Sequence, residues 1–173
     1  MENQMQSSNF QAQRISQTRR ITLNAPLPIV FPLFGPITEK LWVPGWNPEI
    51  VFLDKEEIAE HMVFRTPPRF EKEPPYTWIL SKYAPEQAFV EYTVFTPERL
   101  WTITVKCSEA TAQTTHAEIT YTFTGLTERG NALNEQALRA MYANDLKDWE
   151  EAINHYLKTG EKVKQAVSSA EVE

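Results

Sequence analysis

Asp145 is the residue in this sequence best placed for chemistry. Read at 3.6 residues per turn, Asn131 to Lys158 forms one long helix with Leu138, Tyr142, Trp149, Ile153 and Tyr156 on its apolar side. Asp145 falls on that same side. An ionised, unpaired carboxylate is costly there. An ion pair with a strand arginine would relieve the cost, and so would a hydrogen bond from a tyrosine or tryptophan. A third arrangement places Asp145 on a cavity, where desolvation raises a carboxyl pKa and suits the group to general acid–base work. Tyr142 or Tyr121 is then its proton partner. The structural alternative is a satisfied polar group, or an edge position nearer water.

A second constellation is aromatic. Trp78, Tyr92, Trp101 and Tyr121 on strands, and Tyr142, Trp149 and Tyr156 on the helix, face one interior by alternation and helical phase. They are either core packing or the wall of a ligand cavity, in which rings supply area and polar tips orient a ligand. Trp42 and Trp46 bracket a Pro44-Gly45 turn, as a pocket rim or a local aromatic clasp. His61 and Arg65 share the wet face of one strand, and His116 and Glu118 that of another. Cys107 ends an inward row and reads as a small buried apolar residue. Glu56-Glu57 and Glu71-Lys72-Glu73 read as solvated loops.

These side chains need strands to hold them. Alternation is clearest at Trp101, Ile103, Val105 and Cys107, and at Ala117, Ile119, Tyr121 and Phe123. It recurs at Trp78 and Leu80, and at Val90, Tyr92 and Val94. Short polar or Pro-containing turns separate these runs, as in antiparallel hairpins. A first strand, Ile15 to Asn24, precedes two short helical segments around Ile29 to Phe34 and Ile37 to Trp42. The order is strand, two short helices, six strands and a long helix. Without βαβ alternation, a parallel doubly wound sheet is disfavoured. The expected fold is α+β: a curved seven-stranded antiparallel sheet gripping a long C-terminal helix. One domain, 15–160, is expected between flexible tails at 1–14 and 161–173.

Composition narrows the function classes. The 173 residues carry a net charge of −6, which disfavours electrostatic nucleic-acid binding. A single cysteine excludes an internal disulfide and a cysteine-based metal cluster, and the three histidines lack metal-ligand spacing. No apolar run is long enough to span a bilayer, and the N-terminus lacks signal-peptide order. A soluble cytoplasmic protein without cofactor or metal is expected.

Several strings resemble the START-like, Bet v 1-like (SRPBCC) superfamily. Ile21-Thr22-Leu23-Asn24-Ala25-Pro26 followed by Val30-Phe31 is similar to its first strand and helix entry. Trp78-Ile79-Leu80-Ser81-Lys82-Tyr83, Thr122-Phe123-Thr124-Gly125-Leu126 and Trp149 through Tyr156-Leu157 resemble its bacterial polyketide cyclase/dehydrase-like branch. The resemblance implies a helix-grip fold with a cavity between sheet and helix. Members bind apolar molecules and some are enzymes, so the fold leaves activity open. Three functions remain. One is binding of a small hydrophobic or aromatic molecule by Trp42, Trp78, Tyr92, Trp101, Tyr121, Tyr142 and Trp149. The second is a cofactor-independent cyclase or dehydratase using Asp145 with a tyrosine. The third is a homodimeric interaction module.

Overall fold

The computed structural model describes residues 9–164. Seven strands form one antiparallel sheet: β1 Arg14–Leu23, β2 Glu49–Phe52, β3 Val63–Thr66, β4 Tyr76–Ala84, β5 Phe89–Phe95, β6 Arg99–Thr111 and β7 Thr114–Gly125. Their spatial order is β1-β7-β6-β5-β4-β3-β2, so β1 and β2 are the two edges and the sheet is open. The inward rows follow the alternation: Trp78 and Leu80, Val90 to Val94, Trp101 to Cys107 and Ala117 to Phe123 each bury every second residue. Register shifts between Leu80 and Lys82 on β4, and between Ile50 and Phe52 on β2, mark irregularities where the sheet bends.

The Pro26-Leu27-Pro28 entry starts a single helical turn, α1 Leu27–Val30, because proline needs no N–H at a helix start. It tightens into a 3-10 turn, Phe31–Phe34, with Pro32 in its first positions. A second 3-10 turn covers Thr38–Leu41. Val30, Phe31, Leu33 and Phe34 are buried in the core.

The C-terminal region departs from the expected single helix. Two helices, α2 Glu128–Met141 and α3 Lys147–Thr159, are separated by a five-residue break. Asp145 (φ 57°) and Leu146 (φ 60°) lie in the left-handed region within it. Asn and Asp tolerate such turns through short polar side chains. Leu146 is fully buried, and that burial opposes the backbone cost of its conformation. Thr127 caps α2 by accepting a hydrogen bond from the Gly130 N–H. A Cβ at Gly130 would lie 1.8 Å from the Glu98 carbonyl oxygen, so the first turn of α2 can rest on the β5–β6 turn only with glycine there.

Helix α3 also covers the β1 edge. Glu150 accepts from the Thr22 N–H at 2.8 Å, and Asn154 accepts from the Asn24 N–H at 2.8 Å while donating to the Thr22 carbonyl. These contacts satisfy backbone groups that an edge strand leaves unpaired. The opposite edge, β2, has all four residues exposed. At the N-terminal side, Gln13 donates its N–H to Asn131, and Asn131 donates to the Gln11 carbonyl. The remainder of the expected tails, 1–8 and 165–173, lies outside the described residues.

Candidate functional site

A cavity of about 220 Å³ lies between the concave face of the sheet and α3. Its deep wall comes from the inward rows: Trp78 on β4, Tyr92 on β5, Ile103 and Val105 on β6, and Tyr121 on β7, opposed by Trp149 on α3. All six are buried. The rim is formed by two loops, with Glu39, Pro44, Trp46 and Asn47 on one side and Pro67, Pro68 and Arg69 on the other. Rim residues are exposed or half-buried, so polarity and water access rise from floor to mouth.

The wall is held by aromatic contacts and by hydrogen bonds from ring tips. Trp46 meets Trp78 edge-on at 5.6 Å, Trp78 stacks on Phe64 at 5.3 Å, and Tyr92 meets Trp78 edge-on at 5.9 Å. The Trp78 indole donates to Thr66 Oγ1 at 2.8 Å, and the Trp46 indole to the Pro36 carbonyl at 2.7 Å. The Tyr92 hydroxyl donates to the Phe34 carbonyl at 2.6 Å. Burial, with a smaller push from Glu39, holds that phenol well above its ordinary pKa, so it stays neutral at physiological pH. Among the described residues, no histidine, cysteine or aspartate lines this cavity. Among the described residues, no group of three His, Cys, Asp or Glu side chains is placed to hold a metal ion.

A smaller chamber of about 20 Å³, room for about one water molecule, adjoins this cavity. It shares Arg69, Trp78, Ile103 and Tyr121 with the larger cavity and adds Tyr76, Arg99, Trp101 and Met141. Its end carries a buried ionic network. Arg99 donates to both oxygens of Glu73 at 2.8 and 2.9 Å, to the Tyr76 hydroxyl at 2.9 Å and to Asn134 Oδ1 at 3.4 Å. The Tyr76 hydroxyl donates to Glu73 and accepts from the Arg69 N–H. The Arg99 guanidinium also lies 4.4 Å over the Trp101 ring. The expectation that Glu73 is a solvated loop residue is corrected: it is 7% exposed, because its loop folds back onto Arg99 at the start of β6.

The expected site residues therefore separate. Trp78, Tyr92, Tyr121 and Trp149 come together around the larger cavity, and Trp101 lines the smaller chamber. Trp42 and Tyr142 line neither. Trp42 is fully buried behind the wall, where it donates to the Leu33 carbonyl at 2.8 Å and meets Trp149 edge-on at 5.5 Å. Tyr142 sits in the helix break and ties strands together. Its hydroxyl donates to the Gln17 carbonyl at 2.7 Å, lies 3.1 Å from the Ile119 carbonyl and accepts from the Tyr121 N–H at 3.1 Å.

Asp145 is also corrected in place. The helix break turns its side chain away from the apolar face, leaving it 59% exposed and paired with Arg19 at 2.5 Å. It lines neither chamber. Trp46, not Trp42, is the member of the turn pair that reaches the cavity. Arg69 and the Pro67-Pro68 loop were not anticipated at the mouth, and no local sequence pattern marks them.

No family model matches the chain, and no curated protein matches it. Among solved structures, norcoclaurine synthase from Thalictrum flavum is similar with a TM-score of 0.62 at 9% identity, over 85% of this chain and 88% of that one. The ZhuI aromatase/cyclase from Streptomyces sp. R1128 has a TM-score of 0.61 at 15% identity, over 88% of this chain and 100% of that one. Ara h 8.0201 has a TM-score of 0.57 at 16% identity, over 85% and 99%. With the strand order and the helices described above, these likenesses define a Bet v 1-like, START-like helix-grip fold. At such identities they establish the fold alone.

Proposed function

We propose that this protein binds a small aromatic or otherwise apolar molecule in the cavity between the sheet and α3. The observation that carries the reading is an aromatic-walled space of about 220 Å³ between the sheet and α3, with Trp78, Tyr92, Tyr121 and Trp149 buried in its wall. A cavity of about 150 Å³ accepts benzene, and drug-sized sites begin near 300 Å³. The volume therefore suits one substituted ring or a fused pair of rings, with larger groups extending past the mouth. The neighbours support a ligand of this kind: the norcoclaurine synthase structure holds dopamine and hydroxybenzaldehyde, and two other neighbours are aromatase/cyclases.

Binding is favoured over turnover by Asp145. The carboxylate on which the cyclase or dehydratase reading depended stands outside the cavity in an exposed ion pair. The wall phenol of Tyr92 is neutral and engaged with the Phe34 carbonyl, which leaves it unsuited to act as a base. Calorimetric titration with 2-naphthol tests the proposal. Saturable one-site binding is expected in the wild type and strong weakening in Val105→Trp, which fills the cavity floor.

A further inference from the structure

Among the described residues that line the cavity, two carry charge, and they are of opposite sign. Glu39 comes from the 3-10 turn Thr38–Leu41 on one side of the mouth, and Arg69 from the β3–β4 loop on the other. Both are half-buried, so each is open to a ligand while partly shielded from bulk water. Their backbones are anchored. The Glu39 N–H donates to the Gly35 carbonyl at 3.1 Å, and the Glu39 carbonyl accepts from the Val43 N–H at 2.8 Å. The Arg69 N–H donates to the Tyr76 hydroxyl at 3.1 Å, a member of the buried Glu73–Arg99 network. After burial, the Glu39 charge is the next cause that holds the Tyr92 phenol above its ordinary pKa, so the field of this carboxylate reaches the deep wall. A guanidinium has several donors and a carboxylate several acceptor sites, so each can hold a ligand group alongside a protein contact.

A ligand of single charge would meet one attraction and one repulsion at this mouth, and an uncharged one would leave both groups unanswered. A zwitterion answers both. We infer that the preferred ligand is a free aromatic α-amino acid, with its ring among Trp78, Tyr92, Tyr121 and Trp149, its ammonium at Glu39 and its carboxylate at Arg69. The inference rests on the cavity being a ligand site, and it names the class of ligand that site takes. The volume of about 220 Å³ admits the ring and leaves the charged head at the mouth. A residue within a peptide does not fit the pattern, because its amine and carboxyl are uncharged amides. No covalent step is involved.

The test is calorimetric titration at neutral pH with four ligands that share one ring system. L-tryptophan carries both charges, tryptamine the ammonium alone, indole-3-propionate the carboxylate alone, and 3-methylindole neither. The wild type is expected to bind L-tryptophan about tenfold more tightly than either singly charged ligand, the ratio one charge-assisted hydrogen bond gives. Glu39→Gln is expected to abolish the advantage of L-tryptophan over indole-3-propionate, and Arg69→Gln its advantage over tryptamine. Equal affinities in the wild type, tightest binding by a singly charged ligand or by 3-methylindole, or an advantage that survives its substitution would each overturn the inference; saturable binding of 3-methylindole would then still leave the cavity a ligand site. If none of the four binds, the inference fails, and titration with 2-naphthol shows whether the cavity reading fails with it. The wild-type series decides the matter even if a variant folds poorly.

Discussion

Replacing Glu73 with leucine tests whether the buried network beside the smaller chamber organises this domain. Glu73 and Arg99 have side chains only 1% and 2% exposed, and the pair is bidentate. The Glu73→Leu change leaves the guanidinium buried without its counter-charge, although Tyr76, Asn134 and the Trp101 ring remain beside it. Breaking a buried pair on one side costs about 3–5 kcal/mol. For a domain of this length, each 1 kcal/mol moves the midpoint by roughly 2–4 °C, so Tm is expected to fall by about 6–20 °C. Arg99→Met is expected to cost a similar amount. The double variant Glu73→Leu/Arg99→Met removes both charges and is expected to lose well under the sum, with a coupling of about 2 kcal/mol or more. Differential scanning calorimetry and urea titration of the four proteins measure the cycle. A loss below about 1 kcal/mol for Glu73→Leu, or strictly additive losses, would refute the reasoning and reduce the network to incidental contact.

Two further outcomes follow from the helix break and the buried phenols. Asp145→Asn is expected to change stability by no more than about 1 kcal/mol, the range of exposed ion pairs, and to leave 2-naphthol affinity unchanged; calorimetry reads both. Burial raises the pKa of the Tyr76, Tyr92 and Tyr142 phenols, so their folded forms hold protons more tightly than the unfolded chain does. Their contribution to stability is full below the unfolded value of about 10 and is lost as pH rises above it. Urea midpoints are therefore expected to hold through pH 9 and fall steeply above about pH 10, less steeply in Tyr92→Phe; equal slopes in the two proteins would exclude Tyr92 as a source.

The sheet was legible because strand alternation is local. Val90 to Val94, Trp101 to Cys107 and Ala117 to Phe123 carry their inward rows in sequence, and the rows alone bring Tyr92, Ile103 and Tyr121 to one surface. The break in the C-terminal helix was hidden for a related reason. Tyr142, Leu146 and Trp149 keep helical spacing across it, and all three are buried, so periodicity reads straight through. Asn144-Asp145 is a turn-tolerant pair within that uninterrupted spacing, and reading the segment as one helix puts Asp145 on the apolar side. The Glu73–Arg99 pair was illegible because the partners are 26 residues apart, and nothing local separates Glu73 from Glu71. Trp42 and Trp46 flank one turn, and only the folded path of that turn sends one to the core and the other to the cavity.

The most direct test of the central claim is calorimetric titration of 2-naphthol into the wild type and into Val105→Trp. At roughly −0.6 kcal/mol per heavy atom, within the range for small ligands, a two-ring molecule reaches a Kd on the order of 10–100 μM. Val105 is 2% exposed and faces the cavity, so tryptophan there occupies the space the ligand needs. The expected result is one saturable site in the wild type and at least about tenfold weaker binding in a variant whose circular dichroism and cooperative melting show it folded. No saturable heat in the wild type, or equal affinity in the folded variant, would contradict the assignment of this cavity as the ligand site.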